Sequence, residues 1–224
     1  MAIAAKICGL KTPEAVAAAV AGGASLVGFV FYGRSPRCVD PAIVKQLAAQ
    51  VPPSVQKVGL LVDESDERIA EILAGCDLDL LQLHGHETSE RVAAIRARFG
   101  RKVIKAIPVS GAADLDRAPS YEAVADYLMF DAKPPKSMAD ALPGGNALNF
   151  DWTLLAGRRF KLPWFLAGGL TPDNLAEAVR ISGAPLVDVS SGVEDRPGEK
   201  NVGKIGAFLD VVRQISLAAP LLHR

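Results

Sequence analysis

The sequence predicts an α/β chain folded as a single (β/α)₈ TIM barrel, and two observations predict it. Eight short apolar runs rich in β-branched residues alternate with longer, alanine-rich stretches of helical period. No Asn-Gly or similar hairpin signal separates neighbouring runs, so helical crossovers should join parallel strands throughout. At 224 residues the chain is near the lower end for one such barrel, and residues 1–224 are expected to form one catalytic domain.

The strand runs fall at residues 4–8, 26–31, 57–62, 78–84, 103–108, 127–132, 164–167 and 186–190. Thr12-Pro13-Glu14 and Thr171-Pro172-Asp173 each place a hydroxyl N-cap before a proline suited to a first helical position. A doubly wound open sheet usually advertises a GxGxxG turn after its first strand, and Cys8-Gly9-Leu10-Lys11-Thr12-Pro13 lacks that spacing. The stretch 133–149, with Pro134, Pro135, Pro143, Gly144 and Gly145, reads as a mobile loop after the sixth strand.

Composition narrows the function. Twenty-five Lys and Arg balance twenty-five Asp and Glu, with no basic run of the kind that binds nucleic acid or a membrane surface. No apolar run approaches the roughly 20 residues that span a bilayer. Cys8, Cys38 and Cys76 have neither zinc-site spacing nor the even count of a disulfide framework, which fits a reduced, cytoplasmic chain without a bound metal. A small molecule is the expected partner. Nothing in the sequence distinguishes a monomer from a homodimer.

Catalysis in (β/α)₈ barrels sits at the C-terminal ends of the strands. Here those ends are polar: Lys6 and Cys8 on the first strand, Gln82 and His84 on the fourth, Asp131 on the sixth, Asp188 and Ser190 on the eighth. Alternation puts Lys6 with Cys8, Gln82 with His84, and Asp188 with Ser190 on shared faces. Closure would bring the eighth strand beside the first and let Asp188 pair with Lys6 beneath Cys8. The loops after strands seven and eight commonly hold a phosphate. Gly168 and Gly169, with Ser190, Ser191 and Gly192, suit a phosphosugar there, although tight βα turns also use glycine.

Taken together, Lys6-Ile7-Cys8-Gly9, Ser35-Pro36-Arg37, Gln82-Leu83-His84-Gly85, Phe130-Asp131-Ala132-Lys133, Phe150-Asp151-Trp152, residues 166–174 and residues 187–194 resemble the phosphoribosylanthranilate isomerase family across nearly the whole chain. The resemblance implies the Amadori rearrangement of N-(5-phosphoribosyl)anthranilate to 1-(2-carboxyphenylamino)-1-deoxyribulose 5-phosphate in tryptophan biosynthesis, with no cofactor. It implies Cys8 as general base, Asp131 as general acid and Arg37 as bidentate partner of the anthranilate carboxylate. His84, Lys6, Gln82 and Asp188 are the further substrate-binding candidates. Arg34, on the same loop as Arg37, is the alternative carboxylate partner. The alternatives in function are a different phosphosugar barrel enzyme and a barrel that binds a phosphosugar without turning it over.

Each role makes a physical demand. A thiol titrates near 8.5, so a base at neutral pH wants a cation beside it, and Lys6 is the local candidate. An ordinary Asp near 3.9 has no proton left to donate at neutral pH. By itself, a cysteine on an apolar strand is a packing residue, as Cys38 and Cys76 are expected to be, and the position of Asp131 alone suits a helix cap or a pair with Lys133 equally well. His86 is expected in solvent and Asp63 outside the site. The chain departs from the family in the sixth loop, where Gly-Gly-Thr-Gly is replaced by Gly144-Gly145-Asn146-Ala147. The lost glycine should stiffen a closing flap and bear on turnover rather than on reaction type.

Overall fold

A computed structural model describes residues 3–135, 137 and 142–218. Eight strands form one closed parallel barrel in sequential order: β1 (Ala4–Cys8), β2 (Leu26–Val30), β3 (Gln56–Leu61), β4 (Leu80–Leu83), β5 (Lys102–Val109), β6 (Tyr127–Ala132), β7 (Trp164–Leu166) and β8 (Leu186–Val189). All eight expected strands are present, with ends displaced by at most two residues. The helices are α1 (Pro13–Ala21), α2 (Pro41–Ala48), α3 (Asp66–Gly75), α4 (Ser89–Phe99), the single turn α5 (Ala118–Tyr121), α6 (Leu175–Ser182) and α7 (Val202–Ala218).

Not every crossover is a full helix. Between β5 and β6 a 3₁₀ segment (Ala112–Arg117) precedes α5, and between β6 and β7 the helical structure among the described residues is one 3₁₀ turn (Trp152–Leu155). Pro119 sits in the first turn of α5, where its missing amide costs nothing, but it would interrupt a helix continued from Ala112–Arg117. Residues 136 and 138–141, part of the stretch read as a mobile loop, lie outside the described residues. Residues 142–150 run over the mouth of the barrel.

Caps set the helix starts. Thr12 Oγ1 accepts from the Ala15 amide at 3.3 Å with Pro13 at the first helical position, as the sequence indicates. Thr171-Pro172 behaves differently, because α6 begins only at Leu175. The Asn174 side chain accepts from the Thr171 amide at 2.8 Å and donates to the Gly169 carbonyl at 2.9 Å. These bonds fold residues 169–174 into a turn that delays the helix.

Side-chain alternation creates two apolar layers. Val27, Phe29, Leu61, Leu81, Val103, Leu128 and Val187 point outward and bury against the helices. Leu26, Val58, Leu80, Ile104, Met129 and Phe165 fill the barrel itself. Above this inner cluster, toward the C-terminal mouth, the inward positions turn polar with Lys6, Gln82, Asp131 and Asp188, all buried. Apolar filling closes the barrel from below, so the polar layer faces a cavity open only at the mouth.

One buried ion pair secures the loop after β4. Lys105 on β5 points outward and donates to Glu87 Oε2 at 2.6 Å and to the Gly85 carbonyl at 2.9 Å. Glu87 in turn accepts from the amides of Gly85 and Asp63. Burial pulls the Lys105 ammonium below its usual range, with Glu87 opposing. Removing one member of such a pair strands a charge in the interior and costs about 3–5 kcal/mol. Glu87→Ala should therefore lower unfolding stability by that amount in urea denaturation, and a loss below about 1 kcal/mol would contradict this role for the pair.

Candidate active site

Closure fixes the chemistry of β1. Lys6 is in register with Asp188 across the β1–β8 seam, and its Nζ lies 2.8 Å from Asp188 Oδ1, the contact the sequence suggests. A Cβ built on Gly28 would fall 3.0 Å from both Cys8 Sγ and Lys6 Nζ, so the missing side chain at Gly28 makes room for both groups. Lys6 is completely buried and does not line the cavity. Its ammonium lies beneath Cys8, away from the cavity surface where a substrate contact was expected of it.

The electrostatics of Cys8 also differ from expectation. Burial pushes its thiol up, Asp188 adds to the rise, and Lys6 and Lys200 offset only part of it. Lys6 itself is held above the usual lysine range: burial opposes this, but Asp188 and Cys8 outweigh it. The nearby cation therefore moderates the thiol without reversing the effect of desolvation. The net direction for the thiol is upward, with burial the largest cause.

Across the cavity, Asp131 closes β6. Its Oδ1 accepts from the Ala132 amide at 2.8 Å and its Oδ2 lies 3.0 Å from His84 Nε2. His84 Nδ1 in turn meets Gln82 Nε2 at 2.8 Å. Asp131 neither caps a helix nor pairs with Lys133, which reaches Asp114 instead. Gly144 of the loop after β6 covers this pair, and a Cβ there would fall 2.6 Å from Asp131 Oδ2 and 2.7 Å from His84 Nε2. Only glycine permits so close an approach.

Arg37 reaches the cavity from the loop after β2, but its fork is already engaged. Nε and Nη2 each lie 2.8 Å from Glu194, and Nη2 also donates to the Gly145 carbonyl at 3.1 Å. The Nε–Nη2 edge of the planar fork is thus held by Glu194, and among the described residues Nη1 is the nitrogen without a hydrogen-bond partner. Arg34 is not among the cavity-lining residues. Glu194 was not singled out from the sequence, and neither was Lys200, which binds Glu194 at 2.7 Å. Both lie on the two-stranded hairpin β9 (Glu194–Arg196) and β10 (Glu199–Lys200). A buried acid shared by two cations is visible only once the fold brings residues 37, 194 and 200 together. Burial raises the Glu194 carboxyl, yet Arg37 and Lys200 hold it below the usual range.

The glycine- and serine-rich loops after β7 and β8 meet the cavity through Gly168, Gly169, Ser190 and Ser191. Gly192 lies behind them, where a Cβ would fall 1.8 Å from the Leu170 carbonyl oxygen. The hydroxyl of Ser190 is committed elsewhere: it donates to the Cys8 carbonyl and accepts from Lys200, each at 3.2 Å. Ser191 is the hydroxyl of the pair without such a commitment.

The altered flap adopts a strained turn. Asn146 exchanges two hydrogen bonds with the backbone of Leu142, and Ala147 sits at φ 56°. This is the left-handed region where the family's glycine would be at ease. Asp63 lies outside the cavity, bonded to the exposed His86. Cys76 is buried and Cys38 half-buried, and neither lines the cavity.

A parallel barrel with a thiol, a carboxylate, an imidazole and a guanidinium converging on its C-terminal mouth places the chain among the (β/α)₈-barrel enzymes. Its sequence matches the family model "N-(5'phosphoribosyl)anthranilate (PRA) isomerase" over residues 5–211. A relative from Rhodospirillum centenum, named N-(5'-phosphoribosyl)anthranilate isomerase, is 59% identical over 93% of this chain and 97% of its own. The crystal structure of phosphoribosyl anthranilate isomerase from Thermotoga maritima superimposes with a TM-score of 0.84 at 35% identity, covering 95% of this chain and 99% of that one. A structure of the isomerase in complex with reduced 1-(o-carboxyphenylamino)-1-deoxyribulose 5-phosphate gives 0.81 at 34% identity, covering 95% and 99%. The chain belongs to the N-(5'-phosphoribosyl)anthranilate isomerase family.

Because Asp188 raises the Cys8 thiol and competes for Lys6, Asp188→Asn should let the thiolate form at lower pH. The rate of Cys8 alkylation by iodoacetamide, followed by mass spectrometry against pH, should shift to the acid side. A shift to the alkaline side would show that Asp188 acts on Cys8 mainly by holding Lys6 in place.

Proposed function

We propose that the chain catalyses the Amadori rearrangement of N-(5'-phosphoribosyl)anthranilate to 1-(2-carboxyphenylamino)-1-deoxyribulose 5-phosphate, a step of tryptophan biosynthesis. The observation that carries this reading is that Cys8 and Asp131 line one cavity, from β1 and β6, beneath a common flap. Asp131 donates a proton to the ribose ring oxygen as the C1'–O bond breaks and the nitrogen lone pair forms the iminium. Cys8, as thiolate, takes the proton from C2', giving an enolamine that tautomerises to the ketone. One proton has then left Asp131 and one has reached Cys8, so a net transfer between them through solvent restores the starting state.

The loops around Gly168, Gly169, Ser191 and Gly192 take the phosphate, and Ser190 supports them from below. Nη1 of Arg37 meets the anthranilate carboxylate, with Glu194 fixing the guanidinium plane. Asp188 and Gln82 belong to the floor of the cavity. One chain supplies every group named, so a monomer suffices for the chemistry and a homodimer is compatible with it. Among the described residues no helix is long and apolar enough to cross a membrane. The reaction as written draws on no cofactor.

Loss of the fluorescence of freshly made phosphoribosylanthranilate tests the reading. Cys8→Ala and Asp131→Asn should each reduce kcat about 10²–10⁴-fold, the usual share of a general base or acid. Near-normal turnover in either folded variant would remove its assigned role. Arg37→Met should raise KM more than it lowers kcat, the pattern of a binding contact shared by ground and transition states.

A further inference from the structure

The two inward residues at the top of β4 meet the two at the top of β6 as rungs across the barrel. Gln82 faces Met129, with Nε2 3.4 Å from the thioether sulfur, and His84 faces Asp131. The intervening strand presents Ala106 in register with Met129 and Pro108 in register with Asp131, so it adds no polar side chain between the rungs. Gln82 is fully buried, and its Oε1 is one of two buried side-chain polar atoms without a hydrogen-bond partner among the described residues.

Counting protons gives that orphan oxygen a meaning. With Gln82 Nε2 donating to His84 Nδ1, the imidazole proton sits on Nε2 and points at Asp131 Oδ2, while Oδ1 accepts from Ala132. Both carboxylate oxygens are then acceptors, which is the acid after its proton has been spent. The loaded pair holds one proton more. Protons on both Nε2 and Oδ2 would collide along a 3.0 Å line, so in either loaded form Nδ1 must carry a proton of its own. A protonated Nδ1 needs an acceptor, and the Gln82 amide provides one by turning over to present Oε1. The turned amide gives up the Nε2 contact with the Met129 sulfur in exchange for a charge-assisted or neutral bond from Nδ1 to Oε1, so the orientation follows the protonation of Nδ1.

We infer that Gln82 and His84 are positioning residues that load the acid: rotation of the Gln82 amide fixes the His84 tautomer, and the tautomer decides whether the His84–Asp131 pair holds a transferable proton. This rests on the role of Asp131 given above. The other ionisable groups of the cavity are Cys8, Tyr32, Arg37 and Asp188, with Lys6 below Cys8. Lys105 and Glu87 lie behind β4, and the flap segment over the pair, Gly144 and Gly145, carries no charge.

The test combines nitrogen NMR of His84 with pH–rate profiles of His84→Asn, Gln82→Met and Gln82→Glu, and with Asp131→Asn as a parallel control. Asn can hold Asp131 but cannot take up a proton, and Met fills the Gln82 site without an acceptor. Both should lower kcat about tenfold, less than the 10²–10⁴ of losing the acid itself, leave KM within about twofold, and move the alkaline limb of kcat to lower pH. Gln82→Glu, a permanent acceptor, should keep Nδ1 protonated across the pH range and move the same limb to higher pH. If Asp131→Asn abolishes turnover while these profiles and the His84 tautomer match wild type, the inference falls and the role of Asp131 stands. If Asp131→Asn remains active, the underlying reading falls instead. Thermal melts of each variant separate these outcomes from misfolding.

Discussion

Closure of the barrel between β1 and β8 is the constraint on which the site depends. It brings residues 182 positions apart into register and seats the Lys6 ammonium against Asp188 in the interior. A lone lysine could not stay charged there, because desolvation costs several kcal/mol per ion. A barrel one strand shorter or longer would present different partners to Lys6. The same seam carries Ser190 to the Cys8 carbonyl, so the backbone around the thiol is held by the last strand as well as by its own.

The charged groups beneath the mouth follow one pattern. Lys6–Asp188, Lys105–Glu87 and Arg37–Glu194–Lys200 are each buried, and each ties a strand end or loop to a distant part of the chain. Buried ion pairs contribute little net stability, since desolvation offsets attraction. Their value here is geometric: charged hydrogen bonds are short and directional, and they fix loops that have few apolar contacts of their own. The lower barrel is filled with aliphatic and aromatic side chains, and specificity of position is left to the polar layer above it.

Much of this was legible in the sequence because its signals are local. Strand runs, the Thr12 cap and the polar strand ends are patterns within a few residues, and the inward parity of Lys6 with Cys8 and Gln82 with His84 follows from the pleat. The Lys6–Asp188 pair needed only the added premise of closure. Glu194 and Lys200 were hidden because a short hairpin after the last barrel strand carries no periodic signal, and its meaning depends on Arg37 arriving from the loop after β2. The delayed start of α6 was hidden because Asn174 satisfies backbone groups of the preceding turn, which residue type alone does not announce. The net rise in the Cys8 thiol depends on how completely the fold excludes water, a property of the assembled barrel.

Ala147 bears on how often the mouth is shut. Its left-handed φ carries a penalty of about 1 kcal/mol relative to glycine, and that penalty falls only on the conformation in which Gly144 and Gly145 lie over the acid and the guanidinium. The two reciprocal bonds of Asn146 to Leu142 belong to the same conformation and act in the opposite sense. The turn over the mouth is thus held by side-chain hydrogen bonds against the strain of its own backbone, where a glycine would hold the same shape by conformational ease alone.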